Sequence, residues 1–271
     1  MSASEDTYAY RNARAGQDQR LRMLEALLDP GTIRHLEAQG VGPGWRCLEV
    51  GAGGGSIAAW LCDRVGPEGR VVATDLDTTV LRALERPNLE VRVHDVLRDD
   101  LEADAYDLVH LRLLLGWLAD PGTALRRLAA ALKPGGRLVA EEMDFVSVAV
   151  EPRTDPQARA VFERYLAAHH VLLPERHAFD VFYGRRVAGA VADAGLADVG
   201  CEGRASMWRS CEPGGEVWRL SLEQLADGFI EAGLMTRAEV DAALDLLAAP
   251  GFSFLSQLTM AAWGRRPPAR S

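Results

Sequence analysis

The stretch WRCLEVGAGGGS, Trp45 to Ser56, constrains this chain more than any other. Arg46-Cys47-Leu48-Glu49-Val50 reads as a short apolar strand, Gly51 to Gly55 as a turn, and Ser56 as the start of a helical run through Leu61. A strand, a glycine turn and a helix start in immediate succession cradle a nucleotide-like ligand at the helix N-terminus. Glycines are required there because a Cβ would hold the backbone away from the ligand.

The residues that follow repeat one unit. Arg70 to Thr74 predicts a second strand ending in Asp75, which lies 24 residues beyond Gly51. An acid about 20 residues after the glycines, at the carboxyl end of the next strand, can accept both hydroxyl protons of a ribose. Thr78 to Arg86 is expected to be a helix, and Leu89 to His94 a third strand ending at Asp95-Val96, with Asp95 within reach of an adenine amino group. Tyr106 to Leu111 is a fourth strand leading into a helix around Leu113 to Leu118. Thr123 to Leu132 is helical, Lys133-Pro134-Gly135-Gly136 turns, and Arg137 to Glu142 is a fifth strand. Regular strand–helix alternation means a parallel sheet with helices on both faces, an α/β fold. Ligands of such sheets bind outside the carboxyl ends of the strands, where Glu49, Asp75, Asp95, His110 and Glu142 all fall.

Composition narrows the chemistry. The formal charge of -9 offers no basic stripe for phosphates and argues against a nucleic-acid partner. Lys133 is the only lysine and sits in a turn, which excludes Schiff-base chemistry. The four cysteines make no CxxC pair and no zinc spacing, so no metal is expected and the thiols read as structural or incidental. The opening MSASEDTYAY is polar and acidic, and no apolar run approaches the ~18 residues of a membrane span. A cytoplasmic protein without a membrane partner is expected, with a homodimer left open.

Five motifs carry a resemblance. Glu49-Val50-Gly51-Ala52-Gly53-Gly54-Gly55, Val72-Ala73-Thr74-Asp75, His94-Asp95-Val96, Tyr106-Asp107-Leu108-Val109 and Leu132-Lys133-Pro134-Gly135-Gly136 look like the successive motifs of class I S-adenosylmethionine-dependent methyltransferases. The resemblance covers residues 41–145 and is closest to small-molecule enzymes of bacterial secondary metabolism. A nicotinamide dehydrogenase would want G-x-G-x-x-G, and the third position falls on Ser56 counted from Gly51, or on Ala58 counted from Gly53. The resemblance implies a Rossmann-like, doubly wound, seven-stranded and mostly parallel sheet with helical lid segments. It implies S-adenosyl-L-methionine as cofactor, with Gly51, Ala52, Gly53 and Gly55 passing close to its methionyl and ribose parts. Glu49 would orient the amino group, Asp75 take the ribose hydroxyls and Leu76 pack on the adenine face. Asp95 and the Val96 amide would meet the adenine edge, and the His110 backbone would flank the methionyl chain.

A single methyltransferase domain over 1–271 is expected. Residues 1–40 form an N-terminal helical lid and 41–145 the cofactor core. Segments 146–180 and 209–252 are substrate-lid helices, and 253–266 is a final strand. In the N-terminal segment, Tyr8 to Leu28 and Thr32 to Glu37 read as two helices separated by Asp29-Pro30-Gly31, and Tyr8, Tyr10 and Arg14 could reach a ligand. Gln157 to Leu172 predicts a helix carrying His169 and His170, Val199 to Trp208 a sixth strand, and Leu220 to Ala249 a helical hairpin with a Thr236/Glu239 capping box. Methyl transfer needs a base only if the acceptor arrives protonated; His110, His169 and His170 lead the candidates, with His177 and Asp144 behind them. His35 and His94 read as structural. The acceptor is expected to be a small apolar molecule, with methyl going to O, N or C. A protein that binds the cofactor without transferring the methyl group, in a cyclase-type or scaffolding role, keeps the same motifs.

Overall fold

The computed structural model describes residues 17–268; Tyr8, Tyr10 and Arg14 lie outside them. Two compact units emerge, one comprising residues 28–143, 183–203 and 259–268, the other residues 17–27, 144–182 and 204–258.

The first unit holds the large sheet. Its strands are β1 (Arg46–Val50), β2 (Arg70–Asp75), β3 (Leu89–Val93), β4 (Tyr106–Arg112), β5 (Leu132–Asp144), β7 (Ala197–Arg204) and β10 (Leu258–Arg265), in the spatial order β3-β2-β1-β4-β5-β10-β7. Strands β1 to β5 pair in parallel. Gly135 N–H donates to Arg266 O and Arg266 N–H to Gly136 O, so β10 ends where β5 begins and runs against it. The seven-stranded, mostly parallel sheet implied by the motifs is therefore present. Strand order reverses between β1 and β4, the switch point, and the glycine loop follows β1 there. One face packs Cys47, Leu108 and Val139 against Leu36 of the long helix α1 (Gln17–Ala38) and Ile57 and Leu61 of α2 (Ser56–Val65). The other packs Leu48, Val109 and Leu138 against Leu125 and Leu128 of α3 (Pro121–Ala131) and Val187 and Val191 of α5 (Val187–Asp193). Cys47 and Cys62 are buried within the first of these cores, as structural thiols should be.

Three local expectations in this unit are corrected. Instead of two helices, α1 is continuous through Pro30. Leu28, Thr32, His35 and Leu36 are all buried, so one stripe at helical spacing crosses the proline. That burial outweighs the ~3 kcal/mol an interior proline costs. Thr78 to Arg86 forms only one 3-10 turn, Leu81–Ala83. The Asp75 and Asp77 carboxylates accept the N–H groups of Asp77 and Thr79, a local alternative to the helix, and Pro87 disfavours a helical residue before it. The helix expected at Leu113 to Leu118 is likewise a single turn, Leu115–Trp117, entered through Leu113 at φ 57°.

The second unit is helical, with a small sheet of β6 (Ala149–Val150), β8 (Met207–Arg209) and β9 (Ser253–Leu255), antiparallel in the order β6-β9-β8. Its helices are α4 (Pro156–His177), α6 (Pro213–Glu231) and α7 (Arg237–Ala248), the last with the Thr236/Glu239 capping box. Helix α4 continues past Leu172 through Pro174. The expected sixth strand divides into β7 and β8, and the final strand 253–266 into β9 and β10, each pair shared between the two sheets. The second division falls at Ser256-Gln257, where buried polar side chains take specific partners. Ser256 Oγ accepts Ser206 N–H at 3.0 Å, and Gln257 Oε1 accepts Trp218 Nε1–H at 3.2 Å. The core is aromatic, with Phe162 4.8 Å from Phe254 and 5.5 Å from Trp218 between ring centres. Among the described residues no helix is long and apolar enough to cross a membrane.

Candidate cofactor site

The glycine loop turns by left-handed backbone. Gly51, Gly53 and Gly55 have φ of 68°, 54° and 86°. At Gly55 a Cβ would also sit 2.3 Å from Leu84 Cδ1 and 2.8 Å from Leu81 Cδ2. The single turn after β2 thus packs on the loop, which only a side-chain-free residue permits. Gly51 and Ala52 N–H both donate to Thr74 O, tying the loop to the end of β2. Helix α2 begins directly afterwards, with no side chain capping its N-terminus.

Asp75 leaves β2 beside this loop and accepts Gly53 N–H at 2.9 Å. Burial pushes its carboxyl pKa up, against hydrogen bonds from the Gly53, Asp77 and Leu76 amides that pull it down. Leu76 is 61% exposed, an apolar side chain presented outward next to that carboxylate. Asp95 accepts Leu97 N–H at 2.9 Å and pairs with Arg98 at 3.4 Å, while Val96 is buried. The chain therefore brings Gly51, Ala52, Gly53, Gly55, Asp75, Leu76, Asp95 and Val96 to the carboxyl ends of β1, β2 and β3.

Strand register builds the rest. Glu49 is opposite His110 across β1 and β4, and His110 is opposite Val139 across β4 and β5. With period two, Glu141 shares that face. Glu49 Oε2 lies 2.6 Å from His110 Nδ1, and His110 Nε2 lies 3.7 Å from Glu141 Oε2, an ion-pair rather than a hydrogen-bond distance. Burial alone would lower the His110 pKa; the Glu49 carboxylate, with Glu141 behind, overrides it and holds the imidazole up to about 9. Burial acts on Glu141 in the opposite sense, and the His110 imidazolium with the hydrogen bonds from His35 and Thr32 holds it well below the usual carboxylate range. His110 is fully buried and protonated at neutral pH, which gives it the role of a buried cation rather than of a base.

The other candidate bases lie in the second unit. His169 is buried with its ring 5.6 Å from Trp218 and 4.9 Å from Phe145. Burial, and secondarily His170, pushes its pKa down to about 3, so it is a poor proton acceptor. His170 is half-buried, also shifted down by burial, and its Nε2 has no hydrogen-bond partner among the described residues. Asp144 accepts Val146 N–H at 2.9 Å and caps the turn after β5.

Sequence reasoning missed five side chains that the structure brings to this site: Asp29, Thr32 and His35 of α1, Arg112 of β4, and Glu141. His35 Nδ1 is 2.8 Å from Glu141 Oε1, the Thr32 hydroxyl donates to Glu141 Oε2, and Arg112 Nη1 donates to Thr32 Oγ1 at 2.9 Å. The available signal was the Glu141-Glu142 pair, two carboxylates directly after the apolar run Leu138-Val139-Ala140 of β5.

A methyltransferase domain model matches residues 8–200. The chain belongs to the methyltransferase domain family. This methyltransferase-family chain is 28% identical over 222 residues to an uncharacterized 37.1 kDa protein of a Streptomyces fradiae transposon, across 80% of this chain and 61% of the relative. It is 29% identical over 138 residues to the ubiquinone/menaquinone biosynthesis C-methyltransferase UbiE of Vibrio campbellii, across 48% of this chain and 51% of that enzyme. The methyltransferase-family chain thus spans about half to three-fifths of the length of these curated relatives. Its fold is similar to that of Haemonchus contortus phosphoethanolamine N-methyltransferase 2, solved with S-adenosylhomocysteine, at a TM-score of 0.52 and 15% identity over 93% of this chain and 52% of that one.

Proposed function

We propose that this chain transfers the methyl group of S-adenosyl-L-methionine to an O, N or C atom of a small-molecule acceptor. The observation that carries the reading is the Asp75 carboxylate, hydrogen-bonded to Gly53 N–H at 2.9 Å where the glycine loop meets the end of β2. The donor set fits the cofactor. Asp75 is an acceptor for a ribose diol, Leu76 an exposed apolar surface for adenine, and Asp95 with the Val96 amide an acceptor and donor for its edge. Glu49 offers a carboxylate for the methionyl ammonium. When bound, the cofactor supplies a methyl group on a sulfonium, open to in-line displacement.

The chain's own contribution is positioning, which can supply about 7–11 kcal/mol in favourable cases. The loop and the carboxylates fix the donor end, and no proton need move there. Of the neighbouring pair of candidate bases, His169 is almost stripped of basicity and His170 is also shifted down by burial, its Nε2 being buried without a partner among the described residues, so the transfer is assigned to positioning rather than to a base. The second unit, with its aromatic core, is the part to which acceptor choice is assigned. Incubation with methyl-labelled cofactor and a panel of phenols, amines and activated carbon acids tests the reading. Label in a product with equimolar S-adenosylhomocysteine supports it; turnover of an acceptor without S-adenosylhomocysteine favours a non-transferring role.

A further inference from the structure

The buried charges around the loop form a connected path. Glu49 stands two residues before Gly51 and Ser56 one residue after Gly55, so they flank the loop. From Glu49 the path runs to His110 at 2.6 Å, on to Glu141 at 3.7 Å, and through the Thr32 hydroxyl to Arg112 at 2.9 Å. Arg112 Nη1 pairs with Asp29 Oδ1 at 2.9 Å, and Ser56 Oγ donates to the same oxygen at 3.1 Å. The path that leaves the loop at one end therefore returns to it at the other, by way of β4, β5 and α1. His35 braces Glu141 from the side at 2.8 Å.

Two features mark this ring as more than packing. Glu49 is bonded through Oε2, and Oε1 makes no hydrogen bond or ion pair among the described residues. Arg112 likewise engages through Nη1, and its Nη2 and Nε make no hydrogen bond among the described residues. One free carboxylate oxygen and one guanidinium with free donors, held in the same ring, complement the ammonium and carboxylate of an amino-acid group.

We propose that this ring is a positioning device for the amino-acid end of the cofactor, with His110, Glu141 and Thr32 as positioning residues that orient Glu49 and Arg112. The inference rests on the cofactor reading above. It assigns two jobs to two halves of the site: Asp75 and Asp95 hold the nucleoside, and the ring sets affinity for the zwitterionic tail.

The test compares two probes by calorimetry, S-adenosylhomocysteine, which carries the amino-acid group, and methylthioadenosine, which lacks it. Thr32→Val and Glu141→Gln each cut the path and leave the Glu49 and Arg112 side chains themselves in place, although Thr32→Val also removes the Thr32 hydroxyl that Arg112 donates to. The expected result is a loss of at least fivefold in S-adenosylhomocysteine affinity with methylthioadenosine affinity unchanged within twofold. Equal losses for both probes, or no loss in a folded variant, overturn the proposal. Thr32→Val, a near-isosteric change, decides the matter if Glu141→Gln does not fold. Wild-type protein that binds neither probe overturns the cofactor reading itself, an outcome distinct from a ring that fails to discriminate.

Discussion

His110 and His169 are both fully buried, and their surroundings drive them in opposite directions. His110 is held between carboxylates with its pKa raised to about 9; His169 lies among Phe145, Tyr165 and Trp218 with its pKa lowered to about 3. The first unit places charge at its strand ends and compensates it with opposite charge. The second buries aromatic surface and tolerates an imidazole only in its neutral form. A buried histidine is therefore no evidence for a base until its neighbours are counted.

Substitution by phenylalanine should break the symmetry between the two. His110→Phe leaves Glu49 and Glu141 without their cation and is expected to cost about 3–5 kcal/mol, the penalty of breaking a buried pair, read as a large fall in denaturation midpoint. A loss below about 1 kcal/mol would show that the carboxylates relax to water. Asp75→Ala removes up to two charge-assisted hydrogen bonds of roughly 1.5–3 kcal/mol each and should weaken S-adenosylhomocysteine binding by about a hundredfold. Binding within threefold of wild type would remove Asp75 from the ribose contact. Gly55→Ala forces a Cβ into the left-handed region and onto Leu84 and Leu81, at a cost of about 1–3 kcal/mol, seen as a lower Tm.

The pH dependence sharpens the contrast further. Glu142 is fully buried, and burial pushes its pKa up to about 7, against the Leu114 and Leu115 N–H groups it accepts at 2.9 and 2.5 Å. Glu142 and His110 bind protons more tightly in the folded chain than in the unfolded one. Their contributions are complete below the unfolded pKa values, about 4.5 and 6.5, and are lost as pH rises through about 7 and about 9. These two contributions should therefore decline between about pH 4.5 and 9 in thermal unfolding, and Glu142→Gln should remove the part between about pH 4.5 and 7, on the order of 3 kcal/mol. His169 carries the opposite sign. Its contribution is present above about pH 6.5 and is lost as pH falls toward 3, so His169→Phe should flatten only the acid side. At neutral pH that variant should change stability by less than about 1 kcal/mol, the smallest effect of the set. A larger loss would mean that the ring nitrogens hold partners within the folded chain.

Legibility followed sequence distance. The glycine loop, the acids ending β2 and β3, and the order of the first five strands are local signals, each complete within a few residues, and the sheet could be read from them. The partners of His110 could not. His110 meets Glu49 across 61 positions, and His35 meets Glu141 across 106. No periodicity within one element reveals such pairs, because register between strands selects them. Pro30 misled for a related reason: locally it stops a helix, but the buried stripe from Leu28 to Leu36 is decided by the sheet beneath. The short strands β8 and β9 have no pattern of their own, and the second unit stayed least readable because its aromatic core mixes residues from α4, α6 and β9.

The path from Glu49 to Ser56 bears on engineering. Exchanging the first forty residues for those of a relative, the natural way to retarget such a protein, would remove Asp29, Thr32 and His35 together. Arg112 would then lose both Asp29 and Thr32, and Glu141 would keep only His110. A chimera that carries those three side chains across should retain donor binding, whereas one that respects only helix length should lose it before any acceptor is tried. The N-terminal segment is inherited with the loop, and the two are best treated as one module.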